Sequence, residues 1–324
     1  MKPKALFWCG TPERIGEVFS PEQRRRLARL TDLTPEVVNH ANFSAERHGG
    51  AEVIFSTWGM EPLREAELAA LPALKVLFYA AGATDAFVRP LLRRGIAVVS
   101  AWQANAIPVA EFCVAQIVLA MKGYFRNSRE LTSPEQWRRG GAFVGPGSYG
   151  EKVALIGDGA VACRTRQLLE PYRLAVTMVP SRPAWRTVSL EEVVAESFVV
   201  INHLPDRDDN AGVLDGRLFA SMRPGAVFLN TGRGRQVNET ELIAVLETRP
   251  DLTALLDVTD PEPPAAGSKL YTLPNVRLSS HIAGSVNDEV HRLAELVIEE
   301  FERWRMGDTL RFRVEESMLI TSSR

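Results

Sequence analysis

The sequence predicts an α/β protein of two domains, and three observations carry that expectation. Short β-rich runs alternate with longer amphipathic stretches along the whole chain, the pattern of helices packed on parallel sheets. The chain has 324 residues, more than one hydrophobic core usually supports. A Gly-rich patch from Gly140 to Gly150 interrupts the alternation, and a second series of strands begins beyond it.

In the first series the strand candidates are Ala5–Cys9, Val53–Ser56, Lys75–Tyr79 and Ala97–Ser100. Pro21–Leu30 reads as a helix, with Ser20 as N-cap and Pro at the first helical position. Residues Val109 to Arg126 read as one long helix that is apolar on most faces, as expected of an element buried in a core or against a second copy. In the second series the candidates are Lys152–Ile156, Ala175–Val179, Phe198–Asn202, Ala226–Asn230, Thr253–Leu256 and Val276–Leu278. A last helix, about Asp288 to Arg305, has too little chain after it to build a domain. It is expected to pack back onto the first one. The boundaries expected are 1–102 plus 287–324 for a discontinuous first domain and 103–286 for the second.

Composition excludes several functions. Apolar residues make up 45% and charged residues 24%, with a net charge of −2, so no nucleic-acid footprint or polybasic membrane anchor is expected. The longest apolar stretch, Phe112 to Met121, includes Gln116 and reads as too short for a bilayer span. Ala5 to Cys9 is too short for the apolar region of a signal peptide, so the expected location is the cytoplasm. Cys9, Cys113 and Cys163 share no metal or redox spacing, and the five histidines form no zinc motif. No metal is expected.

Gly157-Asp158-Gly159-Ala160-Val161-Ala162 follows an apolar strand and opens a helix, the context that a dinucleotide fingerprint requires. Gly157 permits the tight turn and Gly159 lets backbone approach a pyrophosphate. Ala160 and Val161 open the helix, and Ala162 stands where a third Gly would pack. The helix N-terminus would offer N–H groups and partial positive charge to the phosphates. The second domain is therefore expected to be a Rossmann-type doubly wound cofactor domain. The strand that follows should end in an acid that holds the ribose 2′-hydroxyl. Here it ends Val179-Pro180-Ser181-Arg182, and the segment from Pro183 to Val188 is short. Ser181 and Arg182 in that place favour NADP(H) over NAD(H), because a guanidinium can pair with a 2′-phosphate and Pro180 offers no acid. Arg186 is a candidate second contact.

Sites in open α/β sheets gather at the carboxyl ends of the strands. Read in that way, the second series presents Gly157, then His203-Leu204-Pro205, Thr231-Gly232-Arg233-Gly234, Asp257-Val258 and His281 on one rim. Glu262 follows on a Pro-rich loop. Reduction of a 2-keto acid needs a guanidinium fork for the carboxylate and keto oxygen, a proton donor, and a carboxylate that orients the donor. Arg233, His281 and Glu262 supply these types. Taken singly, each has a plainer use as a solvated or capping residue; together on one rim with a phosphate turn they read as a site.

Asn230-Thr231-Gly232-Arg233-Gly234, Leu256-Asp257-Val258 with Glu262-Pro263, and Ser280-His281-Ile282-Ala283-Gly284 together resemble the D-isomer-specific 2-hydroxyacid dehydrogenase family. The resemblance covers about residues 50 to 310. It extends to Ala80-Ala81-Gly82-Ala83, similar to the family's substrate-carboxylate loop, to Ala104 through Glu111, similar to the start of its interdomain helix, and to Met222-Arg223-Pro224-Gly225.

The resemblance implies a flavodoxin-like α/β substrate domain beside the Rossmann-type one, glyoxylate/hydroxypyruvate reductase-like activity, a homodimer, and Arg233, Glu262 and His281 as the catalytic trio. It implies Asp257 on the nicotinamide carboxamide, with His203, Leu204, Pro205, Thr231, Gly232 and Gly284 along the cofactor, and the substrate carboxylate on the backbone of Ala81, Gly82 and Ala83. Trp58 and Trp102 are candidates for the substrate pocket or for the core. Two other functions stay open here: a NAD(P)-sensing protein resembling the C-terminal-binding-protein corepressors, and a phosphite dehydrogenase, which would show a similar Arg, Glu and His set.

Overall fold

Runs of β-branched and aromatic residues dictate the first sheet. Every side chain of Val53–Ser56 is buried, with Val53 and Phe55 in the core on one face and Ile54 in the core on the other. Burial on both faces is what a parallel sheet covered by helices requires. The computed structural model of the protein describes residues 1–138 and 140–319. Its first sheet holds β1 (Lys4–Trp8), β2 (Asp32–Val38), β3 (Val53–Ser56), β4 (Val76–Tyr79) and β5 (Ala97–Ser100), all parallel. Their order is β2-β1-β3-β4-β5, the flavodoxin-like arrangement.

The strand β2 is missing from the sequence reading. Pro35 and its polar neighbours conceal it, and its place at the sheet edge is where Pro is tolerated.

The helix Pro21–Leu30 begins as its sequence dictates. Ser20 Oγ accepts from the Gln23 N–H, and Gln23 Oε1 accepts from the Ser20 N–H, a complete capping box. Arg26 forks onto Glu302 at 3.0 and 2.8 Å and reaches Glu295 at 2.6 Å. These acids lie on the helix His291–Met306, which buries Ala294, Val297, Ile298 and Phe301 at helical spacing. Phe301 sits edge-on to Phe55 and Phe78 at 5.2 and 5.7 Å. The end of the chain thus completes the first core. By its internal packing the chain divides into two units, Met1–Asn105 with Ser285–Arg324, and Ala106–Gly284.

The second sheet holds β6 (Lys152–Ile156), β7 (Ala175–Val179), β8 (Val199–Asn202), β9 (Val227–Asn230), β10 (Thr253–Leu256) and β11 (Val276–Leu278). All are parallel, in the order β11-β10-β9-β8-β6-β7, so the order reverses between β6 and β8. Beyond β7 the chain makes only a 3₁₀ turn, Pro183–Trp185, before the helix Leu190–Glu196.

The long helix differs from the reading of Val109 to Arg126. It runs Trp102–Met121 with Pro108 inside, and the chain breaks at Gly123 (φ 75°) before a separate helix, Tyr124–Glu130. Its length also corrects the expectation from Phe112–Met121. By length and composition alone the 20-residue helix could cross a bilayer, and half of that apolar stretch is buried inside the protein. Val109, Cys113, Ile117, Ala120 and Met121 join the core under β6, β8 and β9.

Candidate active site

Close backbone approach shapes the phosphate turn. Gly157 has φ +124°, and a Cβ there would stand 2.5 Å from the His203 carbonyl oxygen, so only Gly fits where the β6 and β8 ends meet. Gly159 caps the helix Ala160–Leu169 with no side-chain bond, and open space lies where its Cβ would be. Ala162 is fully buried against the sheet, the packing role of a third Gly, and Val161 packs beside it. The open space at Gly159 leaves this helix N-terminus accessible to an anion. His203 lies beside this turn, and its buried Nε2 has no hydrogen-bond partner among the described residues.

Beside that turn Arg182 lies over the Trp185 ring at 4.9 Å, and its buried Nε has no partner among the described residues. Ser181 N donates to Asp158 Oδ1 at 3.4 Å. Arg186 is committed elsewhere than expected: its Nε donates to the Pro180 carbonyl at 3.0 Å and its Nη2 to Ser181 O at 3.4 Å. It braces the turn from below.

At the β9 end, Thr231 Oγ1 lies 3.5 Å from His203 Nδ1 and 3.4 Å from Cys113 Sγ. Burial pushes His203 down to about 4 and Cys113 up to about 12. Both groups are uncharged at neutral pH, so this wall of the site carries no charge of its own. Arg233 has extended backbone, with Nη1 donating to the Gly232 carbonyl at 2.8 Å. Among the described residues no carboxylate pairs with it. Gly234 beside it has no alternative, because a Cβ would fall 1.9 Å from the Thr259 carbonyl carbon. That approach joins the β9 turn to the segment that follows β10.

Asp257 is almost fully buried at the end of β10, and both its oxygens are engaged. Oδ1 accepts from Ser279 Oγ at 2.6 Å and Ile282 N at 2.9 Å, and Oδ2 accepts from Ala283 N at 3.0 Å. His281 N donates to Asp257 O at 2.9 Å. The aspartate thus ties down both sides of His281, a task the sequence did not reveal. Gly284 ends the same loop. His281 itself sits at φ +56°, in the left-handed region that a non-Gly residue occupies at some cost. In that conformation its Nδ1 meets Glu262 Oε1 at 2.7 Å. The two side chains are 48% and 43% exposed, so the pair lies at the surface rather than in the core.

In the first unit Ala81, Gly82 and Ala83 follow β4. Ser100 Oγ donates to the carbonyls of Ala81 at 2.9 Å and Gly82 at 2.5 Å, and Ala101 N also donates to Ala81 O. With the carbonyls held inward, the N–H groups of Gly82 and Ala83 find no acceptor among the described residues. Two adjacent N–H groups of this kind suit a carboxylate. Trp58 and Trp102 are partly buried against the cores of this unit. Among the described residues no three potential metal ligands gather.

Comparison with known proteins gives this geometry a context. The family model described as "D-isomer specific 2-hydroxyacid dehydrogenase, NAD binding domain" matches residues 114–283. The chain is 30% identical over 217 residues to the (S)-sulfolactate dehydrogenase of Chromohalobacter salexigens, a match over 64% of this chain and 70% of that one. It is 25% identical to the glyoxylate/hydroxypyruvate reductase B of Enterobacter agglomerans over 91% of this chain and 92% of the relative. A Bacillus subtilis homologue is matched over 66% of its length. In three dimensions the chain is similar to a phosphoglycerate oxidoreductase from Rhizobium etli (TM-score 0.78, 23% identity), over 98% of this chain and 100% of that one. The chain belongs to the D-isomer specific 2-hydroxyacid dehydrogenase family and is an oxidoreductase built on that family's Rossmann-type NAD-binding domain.

Proposed function

We propose that this protein interconverts a small 2-keto acid and the D-2-hydroxy acid, with Ala106–Gly284 as cofactor domain and the remainder as substrate domain. The observation that carries the reading is the 2.7 Å His281–Glu262 pair on the rim that also bears Arg233 and the phosphate turn. When bound, the nicotinamide cofactor supplies or accepts the hydride at C2. Arg233 holds the substrate carboxylate and keto oxygen and offsets the charge that develops on that oxygen. His281 Nε2 gives the oxygen its proton, and Glu262 fixes the ring. Asp257 holds the His281 loop in its left-handed turn. The backbone of Ala81, Gly82 and Ala83 receives the carboxylate, while His203, Leu204, Pro205, Thr231 and Gly232 flank the cofactor.

NADP(H) is the preferred cofactor in this reading, because Pro180 replaces the acid that would repel a 2′-phosphate and Arg182 is held against Trp185, its Nε without a partner among the described residues. The test is a panel of 2-keto acids assayed by loss of NADPH and NADH absorbance. One or more small keto acids should be reduced, with kcat/KM higher for NADPH, and Arg182→Ala should raise KM for NADPH while barely affecting NADH. Cofactor oxidation by no keto acid would overturn the function; an equal or higher NADH value would overturn the preference.

The protein is also proposed to be a homodimer formed through the cofactor domain. On the helix Trp102–Met121, Val118 is only partly buried and Leu119 is exposed, apolar side chains that a second copy could cover. A dimeric mass is expected at micromolar concentration in solution, and a monomeric mass would contradict this.

A further inference from the structure

We propose that Gln236 is the positioning residue that locks the backbone of Arg233 to the cofactor-side turn His203-Leu204-Pro205. The inference rests on the functional reading above. Gln236 is completely buried at the end of the turn Gly234–Gln236. Its side chain uses its full hydrogen-bonding capacity. Oε1 accepts from Arg233 N at 2.9 Å and from Asn202 Nδ2 at 2.6 Å, and Nε2 donates to the carbonyls of Leu204 at 2.8 Å and Pro205 at 2.9 Å.

Two more buried amides close the network. Asn202 Nδ2 donates to Asn230 Oδ1 at 2.9 Å, and Asn202 Oδ1 accepts from Leu204 N at 3.0 Å. Asn230 Oδ1 accepts from Gly232 N at 3.1 Å, and Asn230 Nδ2 donates to the Arg233 carbonyl at 3.3 Å. The N–H and C=O of Arg233 are therefore both held by side-chain amides, and so are those of Leu204. A Cβ on Gly232 would stand 2.7 Å from Asn202 Nδ2 and 2.8 Å from Gln236 Oε1, so the bare glycine makes room for the network.

Desolvating three amides is costly, and an apolar core would fill the space without that cost. What the amides add is fixed geometry between the end of β8 and the end of β9. Of the three amides, Gln236 is the one that bonds to the backbone of both turns. The guanidinium that grips substrate and the turn that flanks cofactor then share one rigid frame, the kind of preorganisation that reaction geometry demands.

The test is a double-mutant cycle on the full-length enzyme with the best keto acid, plus NADPH affinity by fluorescence titration. Gln236→Leu is expected to lower kcat/KM roughly a hundredfold, the scale of a misplacement of about 1 Å. It should weaken NADPH about tenfold, the scale of one lost hydrogen bond. In an Arg233→Ala background the same change should cost almost nothing further in kcat, while the NADPH loss persists. Gln236→Glu, which keeps the acceptor and loses both donations, should concentrate its loss in NADPH affinity; it carries the test if the leucine variant does not fold. Equal losses in both backgrounds, or a Gln236→Glu enzyme with wild-type NADPH affinity, would overturn the proposal. Those results would leave the functional reading standing, whereas an Arg233→Ala enzyme with near wild-type turnover would overturn the role that reading gives Arg233.

Discussion

Arg233→Ala is expected to lower kcat on the best 2-keto acid by roughly a hundred- to a thousand-fold, about 3–4 kcal/mol of transition-state stabilisation. Among the described residues the guanidinium has no carboxylate partner, and its Nη1 bond to the Gly232 carbonyl aims it without neutralising it. Alanine removes the substrate grip and the stabilisation of the developing alkoxide together. Lysine should restore little, since an ammonium is a point charge and cannot span carboxylate and keto oxygen as a planar fork does. NADPH affinity by fluorescence titration should stay near wild type, because the backbone bond to Gln236 survives the truncation. Near wild-type turnover would remove Arg233 from the site.

His281→Asn should cost roughly a hundred- to ten-thousand-fold in kcat/KM, the range of one general acid. Asparagine is the suitable replacement because it tolerates a left-handed backbone, so the turn at φ +56° survives and only the imidazole is lost. No neighbouring histidine replaces it. Burial holds His203 down to about 4, leaving it neutral and unable to donate at physiological pH. Steady-state kinetics beside an NADPH titration checks this, with loss confined to turnover. A variant that turns over normally would mean that the proton comes from elsewhere.

What could be read from the chain follows the range of the interactions. Ser20 and Pro21 announce a helix locally, and the capping box forms there. The strand-end turns with Gly157, Arg233, Asp257 and His281 are legible because each motif is contiguous and each strand is a plain apolar run. The start of the helix at Trp102 is not legible from periodicity, since Pro108 biases a reader toward a boundary that tertiary packing overrides; the family resemblance, which puts it near Ala104, comes closer. The edge strand β2 is hidden for a similar reason, its Pro35 tolerated only because one side of the strand is unpaired. Within the site, Glu262 and His281 meet across 19 residues as charge complementarity suggests. The amides Asn202, Asn230 and Gln236 read as ordinary turn residues in the sequence. Their meaning arises only when β8 and β9 pair side by side. The same is true of Asp257, whose bonds to the His281 loop depend on β10 and β11 being neighbours.

Direct hydride transfer to C2 is the central claim, and isotope transfer in a single reaction tests it most directly. Enzyme, a reactive 2-keto acid and NADPH dideuterated at nicotinamide C4 are mixed, and the product is analysed by NMR and chiral chromatography. One deuterium should appear at C2 of the D-2-hydroxy acid for each cofactor oxidised. Deuterium released to water, or cofactor oxidised with no 2-hydroxy acid formed, would contradict the account.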